Sequence, residues 1–383
     1  MRALFKGITR FLREADIFLF ILSLVCTVYG TILVSSVVAN PKYEGGEVYI
    51  QIGAMVIGIF LFVLFSYIDI DVIADKTIAL FIFSILLIST LFIWGVGAQE
   101  VGNRGWLRFW GIGIQPAEVV KVPFTIIIAK MISNYKERKN LNTFPSIIKI
   151  LAVSTAMIGM IIVSSTDVGN PLMYVIILLA VLYIGGVKLR WFLLGGGLIA
   201  AISPLIWNNF FSPYHRERIL VLFIPEEIDP TRLNVLWQSD LSVRAISSGG
   251  FLGQGLGSGR ITQAGQIPEQ HTDFIFSAAG EELGFVGCML IVLLLVLIII
   301  RCIQVGIKSN NSLGLLVCTG FATMFIAQTF ENIGMCLGIL PVIGITLPFF
   351  SYGGSSIVTC LAAMGIVSGV RMRPTQLRHS VRI

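Results

Sequence analysis

The chain has 383 residues, 56% of them hydrophobic and 13% charged, with a formal net charge of +6 and a mean hydropathy of +0.89. That charged share is about half that of a soluble domain, which excludes a soluble enzyme and leaves a polytopic membrane protein. The Lys and Arg residues sit in short clusters between apolar runs, so the positive charge does not point to nucleic acid.

Arg2, Lys6, Arg10 and Arg13 precede the first apolar run, which is longer than a signal-peptide core and lacks a small-residue cleavage site. It therefore reads as a retained first span. Apolar runs predict an all-α protein of about ten spans near 16–38, 48–68, 77–97, 114–133, 146–165, 169–187, 191–209, 273–301, 313–331 and 354–371. Lys76, the loop Lys136, Arg138 and Lys139, then Lys188, Arg190, Arg301, Lys308 and the tail Arg371, Arg373, Arg378 and Arg382 fall on one side. By the positive-inside bias that side is cytoplasmic, with both termini inside. The whole of 1–383 reads as one integral membrane domain. It has a short cytoplasmic segment 1–15, a large outer loop 210–272 between the seventh and eighth spans, and a cytoplasmic tail 372–383. Cys26, Cys288, Cys302, Cys318, Cys336 and Cys360 lie in or beside apolar segments without metal spacing and read as packing residues. No metal ligand set is predicted.

On the outer side, Arg104, Trp106 and Arg108 precede Gln115-Pro116-Ala117-Glu118 and Lys121. Trp at this level anchors the interface, whereas Glu118 and Lys121, spaced i, i+3, can pair on one helix face, a pairing more often structural than catalytic. Asp167 marks a polar break at the outer end of the fifth span and reads equally well as a tight turn. The loop 210–272 is too long for a bare connector. It carries Tyr214-His215-Arg216-Glu217-Arg218, Trp237-Gln238, Arg244 and a glycine-rich run, Ser248-Gly249-Gly250 to Gly259-Arg260. Arg104, Arg108, Arg216, Arg218, Arg232, Arg244 and Arg260 together suit an anion-attracting vestibule. The glycines suit either close approach to phosphate or close packing. His215 and His271 lack ligand spacing.

The stretch Pro268-Glu269-Gln270-His271-Thr272-Asp273-Phe274-Ile275-Phe276 organises the rest. Thr272 is placed to cap the next helix, with Asp273, Ser277 and Glu281 recurring at i, i+4 and i+8 on one face. From Asp273 to Arg301 a helix runs roughly 42 Å, against a core of about 30 Å. Asp273 therefore lies above the hydrocarbon, while Glu281 and Glu282 need polar neighbours. An ionisable group here is functional by default, or else a helix-start charge favoured by the dipole. Finally, Glu331 to Ser356 holds Pro341, Pro348 and several glycines, which cannot make one unbroken helix and predict a broken, re-entrant element. On the residues alone, a lipid-linked glycan polymerase and a transporter or flippase fit equally. A non-catalytic scaffold leaves Asp273 unexplained, and the gathering of polar features on one side favours outer-face chemistry.

The 268–276 stretch with Gly280-Glu281-Glu282-Leu283-Gly284, the Gln115-Pro116-Ala117-Glu118 motif with Lys121, Ser248-Gly249-Gly250, and the run Asn332 to Ser356 together resemble the SEDS family (shape, elongation, division and sporulation). This family includes RodA, FtsW and SpoVE; the resemblance covers nearly the whole chain and leans toward the RodA-like, elongation branch. It implies a peptidoglycan glycosyltransferase that polymerises lipid II into β-1,4 glycan on the outer face of the cytoplasmic membrane. The implied partners are a class B penicillin-binding protein (the transpeptidase), membrane lipids and elongation or division complex proteins. Asp273 corresponds to the family's catalytic Asp, and a general-base role fits an inverting transfer. Arg104, Lys121, Arg216 and Arg218 are candidates to stabilise the departing diphosphate. Trp106, Gln238, Ser351 and Ser355 are further substrate-binding candidates, and Glu118, Asp167, Glu281 and Glu282 are structural or activation residues. A divalent cation (Mg or Mn) is compatible with the chemistry, and no other cofactor is assigned. Ala117 stands where the family usually has Ser, Leu241 and Arg244 interrupt a Gln-Ser pattern after Gln238, and Asp167 opens Asp-Val-Gly-Asn where Asp-Leu-Gly-Thr is commoner.

Overall fold

The computed structural model describes residues 11, 13–40, 42–43, 45–97, 104–109, 112–165, 169–209 and 213–373. Asp167, the basic cluster before residue 11 and the tail beyond 373 lie outside the described residues. Helix α1 (Ile17–Val37) starts where Asp16 accepts the Leu19 N–H, satisfying one orphan donor of the first turn. α2 (Glu47–Tyr67) follows, then α3 (Ile70–Ala74), capped by Asp69, and α4 (Thr77–Trp94). A small antiparallel ribbon, β1 (Leu107–Phe109) with β2 (Ile112–Ile114), sets Leu107 opposite Ile114. It leads through the single turn α5 (Pro116–Val119) into α6 (Lys121–Glu137). Next come α7 (Phe144–Ser165), α8 (Gly169–Gly185) and α9 (Leu189–Asn209). The long loop folds into α10 (Pro213–Leu220), α11 (Pro225–Ile228), α12 (Trp237–Ser248) and α13 (Arg260–Gln263). α14 (Ile275–Lys308), α15 (Ser312–Cys336) and α16 (Gly354–Met372) complete the bundle.

Each expected span has a helical counterpart. Among the described residues, seven helices (α1, α2, α4, α7, α14, α15 and α16) are long and apolar enough to cross a membrane, while α8 and 189–205 are shorter apolar helices. The fourth expected span differs most. Its helix is α6, which has 17 residues and carries Lys121, Lys130, Lys136 and Glu137; a turn at Val120, still right-handed, separates it from α5, and Ile114 belongs to the ribbon.

Small residues set the closest contacts, as expected where lipid gives helices no hydrophobic drive to associate. α16 runs along α2: a Cβ on Gly365 would come within 2.6 Å of the Phe62 backbone, and one on Gly58 within 2.4 Å of the Leu361 side chain. The Ser66 hydroxyl donates to the Phe62 and Gly365 carbonyls across the same seam. α4 and α9 sit at the rim with Ile78, Ile93, Leu193, Leu198 and Ile199 exposed, the faces lipid would cover. At the end opposite the long loop, Asp16 is fully buried and accepts from Arg301 and Arg371, both at 2.7 Å. That one carboxylate ties the starts and ends of α1, α14 and α16 together.

α14 is one helix in sequence and two in space. Gly284 has φ 66° and ψ −162°, which breaks it into 275–283 and 285–308. The carbonyls and N–H groups released there are taken by the glycine-rich loop. Gln254 and Gly255 N–H donate to the Glu281 and Glu282 carbonyls, and Phe285 and Val286 N–H donate to the Gly250 and Phe251 carbonyls. Only glycine fits this approach, since a Cβ on Gly249 or Gly253 would lie 2.0 or 2.2 Å from a backbone oxygen of α14. Irregular backbone within a membrane protein is tolerated where other protein satisfies it, and here the long loop does so. Of the two readings of the glycine run, close packing describes its backbone.

Candidate active site at the Asp273 turn

Asp273 precedes α14 by two residues, in a turn whose centre is Glu269 at φ 50°. The N–H groups of Thr272, Asp273 and Phe274 all point at the Glu269 carbonyl. The Thr272 hydroxyl also donates back to that carbonyl at 3.1 Å, and the N-cap position falls to Phe274. The expectation that Thr272 caps the helix is thereby corrected: the left-handed Glu269 closes a tighter turn and delays the helix to Ile275. Asp273 consequently precedes α14 and lies outside the helix that carries Ser277 and Glu281.

The turn is gripped from α15. Asn332 Nδ2 donates to the Asp273 carbonyl at 2.8 Å and to the Ile345 carbonyl at 2.7 Å, joining the turn to the segment after α15. Cys336 Sγ lies 3.8 Å from the same Asp273 carbonyl. The carboxylate itself, half-buried, rests against Gly344, where a Cβ would sit 3.4 Å from Oδ2.

The expected broken element is present. Residues 337–353 carry no regular helix, yet Ile345, Leu347, Phe349, Phe350 and Ser351 are all within 1% of full burial. Side chains satisfy the irregular backbone: Arg218 donates to the Val342 carbonyl at 2.6 Å, Ser351 Oγ accepts from Leu347 N–H, and Gln51 bonds both Ser351 and Gly353. Gly30 on α1 lets the segment lie flat, since a Cβ there would be 2.5 Å from Phe350. Phe349 holds φ 69°, costly for a bulky residue and sustained by its packing against Phe325. Asp273 thus sits where α15, the 341–347 segment and α10 converge.

Other sequence candidates fall in different places. Lys121 is fully buried and bonds Glu118 at 2.5 Å. As placed here, the Lys121 ammonium is spent on the Glu118 carboxylate inside the bundle. Around the pair, Tyr174 donates to the Ala117 carbonyl and Ser355 Oγ accepts from Gln115 N–H. Ser355 and Ser351 accordingly fasten backbone groups, at 7% and 1% exposure. Arg104 is exposed beside the ribbon, its N–H donating to the Ser165 carbonyl, and Trp106 packs over Gly113. Arg216 and Gln238 are half-buried on α10 and α12. Arg232 is paired with Asp240 at 2.8 Å, which takes one cation from the vestibule.

Glu281 and Glu282 serve the loop. Glu281 accepts from Ile261 N–H, Thr262 N–H and the Thr262 hydroxyl at 2.7–2.8 Å. Glu282 accepts from Ser36 at 2.5 Å and Gln263 at 2.8 Å. A cavity of about 540 Å³ lies here, lined by Ser248, Gln254, Ser258, Arg260, Ile261 and Glu281, and Asp273 is not among its walls. Farther out, Asp229 organises residues 229–236. Burial alone would push its carboxyl up, but the N–H groups of Leu236, Asn234 and Leu233 and the Thr231 hydroxyl outweigh it and hold the group below its usual range.

The sequence reading did not single out Gln328, Glu331 and Asn332 as a unit. They lie at i, i+3 and i+4 on α15, at 1%, 6% and 0% exposure. Neither Glu331 oxygen, neither Gln328 amide atom and not Asn332 Oδ1 has a hydrogen-bond partner among the described residues. The charged group with which Glu331 interacts is Asp273. An acidic residue inside an apolar helix was the available signal. Among the described residues no group of three or more His, Cys, Asp or Glu is placed to hold a metal.

The family model of the FtsW, RodA and SpoVE cell cycle proteins matches residues 16–376. A probable peptidoglycan glycosyltransferase FtsW from Geobacter sp. (strain M18) is 30% identical over 370 residues, 94% of this chain and 97% of its own. The peptidoglycan glycosyltransferase MrdB of Escherichia coli K12 is 31% identical over 336 residues, 86% and 87% of the two chains. A chain from a solved peptidoglycan synthase complex that coordinates polymerization and crosslinking superposes with a TM-score of 0.79 at 26% identity, covering 94% and 99%. The crystal structure of Thermus thermophilus RodA shares the fold, with a TM-score of 0.68 at 24% identity, covering 94% and 98%. The bundle, the broken segment after α15 and a match across nearly every described residue agree: this chain is a multi-pass membrane protein of the FtsW/RodA/SpoVE family.

Proposed function

We propose that this chain is a peptidoglycan glycosyltransferase that polymerises lipid II on the outer face of the cytoplasmic membrane, with Asp273 as general base. The observation that carries the reading is the seat of Asp273: a half-buried carboxylate on a turn clamped by Asn332, at the meeting of α15, the 341–347 segment and α10. The family relatives, named as peptidoglycan glycosyltransferases, support the same reaction. Asp273 takes the proton of the acceptor GlcNAc 4-hydroxyl as that oxygen attacks C1 of the donor MurNAc. The C1–O bond to undecaprenyl diphosphate breaks on the opposite face, and an α-linked donor becomes a β-1,4 glycan. A carboxylate positioned as base contributes about 10²–10⁴-fold. The diphosphate leaves with its charge spread over its oxygens and needs cations more than a proton; Arg218, which reaches the Val342 carbonyl, and Arg216 on the same helix are the candidates.

The Lys/Arg bias supports both termini inside and the Asp273 end facing outward. The likeness to a synthase complex supports a partner with crosslinking activity, a class B penicillin-binding protein. Purified protein with that partner, its transpeptidase blocked, should convert fluorescent lipid II into glycan ladders. A folded Asp273→Ala variant should give none. Equal ladders from both would remove Asp273 from the chemistry. Lipid II crossing liposomes without ladders would replace the polymerase by a flippase.

A further inference from the structure

Past its break, α14 carries an exposed apolar stripe, with Phe285, Met289, Leu293, Ile300 and Ile307 between 43% and 71% exposed. From Phe285 to Ile307 the helix rises roughly 33 Å, against a hydrocarbon core of about 30 Å. Phe285 therefore marks the edge of the core on the Asp273 side. The glycine-rich loop lies at that level: Phe251 stacks on Phe285 at 5.8 Å, and Phe251, Leu252 and Leu256 are all exposed. An apolar patch of this kind with a polar rim marks a surface that meets a membrane or a partner.

The same loop walls the cavity of about 540 Å³ that contains Ser248, Gln254, Ser258, Arg260, Ile261 and Glu281. That volume lies within the range of small-ligand sites, about 300–1,000 Å³. Its wall is built in advance, since Gln254 Nε2 donates to Ser248 Oγ at 2.9 Å and Gln254 Oε1 accepts the Arg260 N–H at 3.2 Å. The acid on the wall, Glu281, has both oxygens engaged by Ile261 and Thr262 and forms no ion pair with Arg260. Among the described residues the Arg260 guanidinium and the Ser258 hydroxyl have no partner, and both residues are exposed. Arg244 is a second exposed cation without a side-chain partner among the described residues, one turn before Ser248 on the same face of α12. Arg232, by contrast, is spent on Asp240.

These are donors awaiting an acceptor, and the guanidinium fork matches the oxygens of a phosphate. A soluble anion would leave the Phe251–Leu252 patch unused, whereas a phosphate attached to acyl chains uses both. We propose that the cavity of Ser248, Gln254, Ser258 and Arg260, aided by Arg244, holds the phosphate headgroup of an anionic phospholipid in the leaflet on the Asp273 side. Asp273 is not among its walls, so the site stands independently of the proposed reaction. The loop that binds the lipid also donates the Gln254 and Gly255 N–H groups to α14 at its break, so an occupied cavity braces that joint.

The test is native mass spectrometry of the purified full chain, titrated with phosphatidylglycerol or with phosphatidylethanolamine of the same acyl chains. Wild type should retain one phosphatidylglycerol in preference to phosphatidylethanolamine, and its unfolding midpoint should rise with phosphatidylglycerol alone. Arg260→Gln should weaken retention by at least about tenfold, the scale of a charge-assisted hydrogen bond, and abolish the rise. Arg260→Lys, which keeps the charge but not the fork, should retain part of it. Arg244→Gln should cost about fivefold, as for one cation near a charged membrane surface, and Arg232→Gln should match wild type. Equal retention of the two lipids, or wild-type retention in a folded Arg260→Gln, overturns the site. Displacement of phosphatidylglycerol by equimolar inorganic phosphate would make it a free-anion site and overturn the lipid assignment. Displacement by geranylgeranyl diphosphate at a tenth of the concentration would assign the cavity to a polyprenyl diphosphate and overturn it equally.

Discussion

His271, two residues before Asp273, is held between the rings of Tyr43 and Tyr352 at 4.9 and 5.2 Å, and its carbonyl accepts the Tyr352 N–H. Burial holds its imidazole below the ordinary range of about 6.5; Glu269 and Glu47 pull the other way, and Lys42 adds to the depression. The unfolded chain therefore takes up a proton as pH falls through about 6.5 while the folded imidazole still resists. In that window the unfolded state binds more protons, so stability falls with pH below about 6.5 and is level above it. Thermal unfolding should show a lower midpoint at about pH 5.5 than at about pH 7.5, and His271→Gln should reduce that difference. At this scale the sequence was informative at the Glu118–Lys121 spacing, whose i, i+3 pairing the structure contains. It was silent on Glu331, because an acidic residue gains meaning only when its partners are seen to be missing. The polarity of Lys121, Ser351 and Ser355 is spent on a buried pair and on backbone groups, contacts that no sequence spacing reveals.

Among the elements, α14 shows how one helix and one loop depend on each other. Gly253 (φ 82°) stands where a Cβ would meet the Glu282 carbonyl at 2.2 Å, whereas Gly250 (φ 56°) has open space around it. Both substitutions to Ala incur the left-handed penalty of about 1–2 kcal/mol, but only Gly253→Ala must also push the loop off α14. Its unfolding midpoint should therefore drop further than that of Gly250→Ala. The Gln254 and Gly255 N–H groups, which donate to the Glu281 and Glu282 carbonyls, should lose protection from hydrogen exchange only in Gly253→Ala. The apolar run from 273 onward was legible as a span, but the break at Gly284 was not. A glycine inside an apolar run reads as a tolerated weakness until the loop that pairs with it is in view. The broken segment after α15 was legible, because two prolines forbid a continuous helix whatever surrounds them.

Across the whole molecule, the bundle is fastened at one end by Asp16 and worked at the other by the Asp273 turn. Asp16 meets Arg301 and Arg371 without exposure to solvent, and Asp16→Asn leaves both guanidinium groups without their counter-charge. Arg371 reaches solvent, so the cost should be about 3 kcal/mol, the lower end for a broken buried pair, read as a lowered unfolding midpoint. Hydropathy and charge clusters were enough to draw the helix order, since each span must satisfy its own backbone. They could not show which helices stand side by side, because glycine seams such as Gly365 against Phe62 connect residues some three hundred positions apart. The central claim is that this architecture exists to hold one carboxylate as base. It is tested most directly by the single-turnover rate of lipid II coupling in Asp273→Asn, an isosteric change, compared with wild type at matched thermal stability. The account predicts a fall of about 10²–10⁴-fold. A rate within a few-fold of wild type would contradict it.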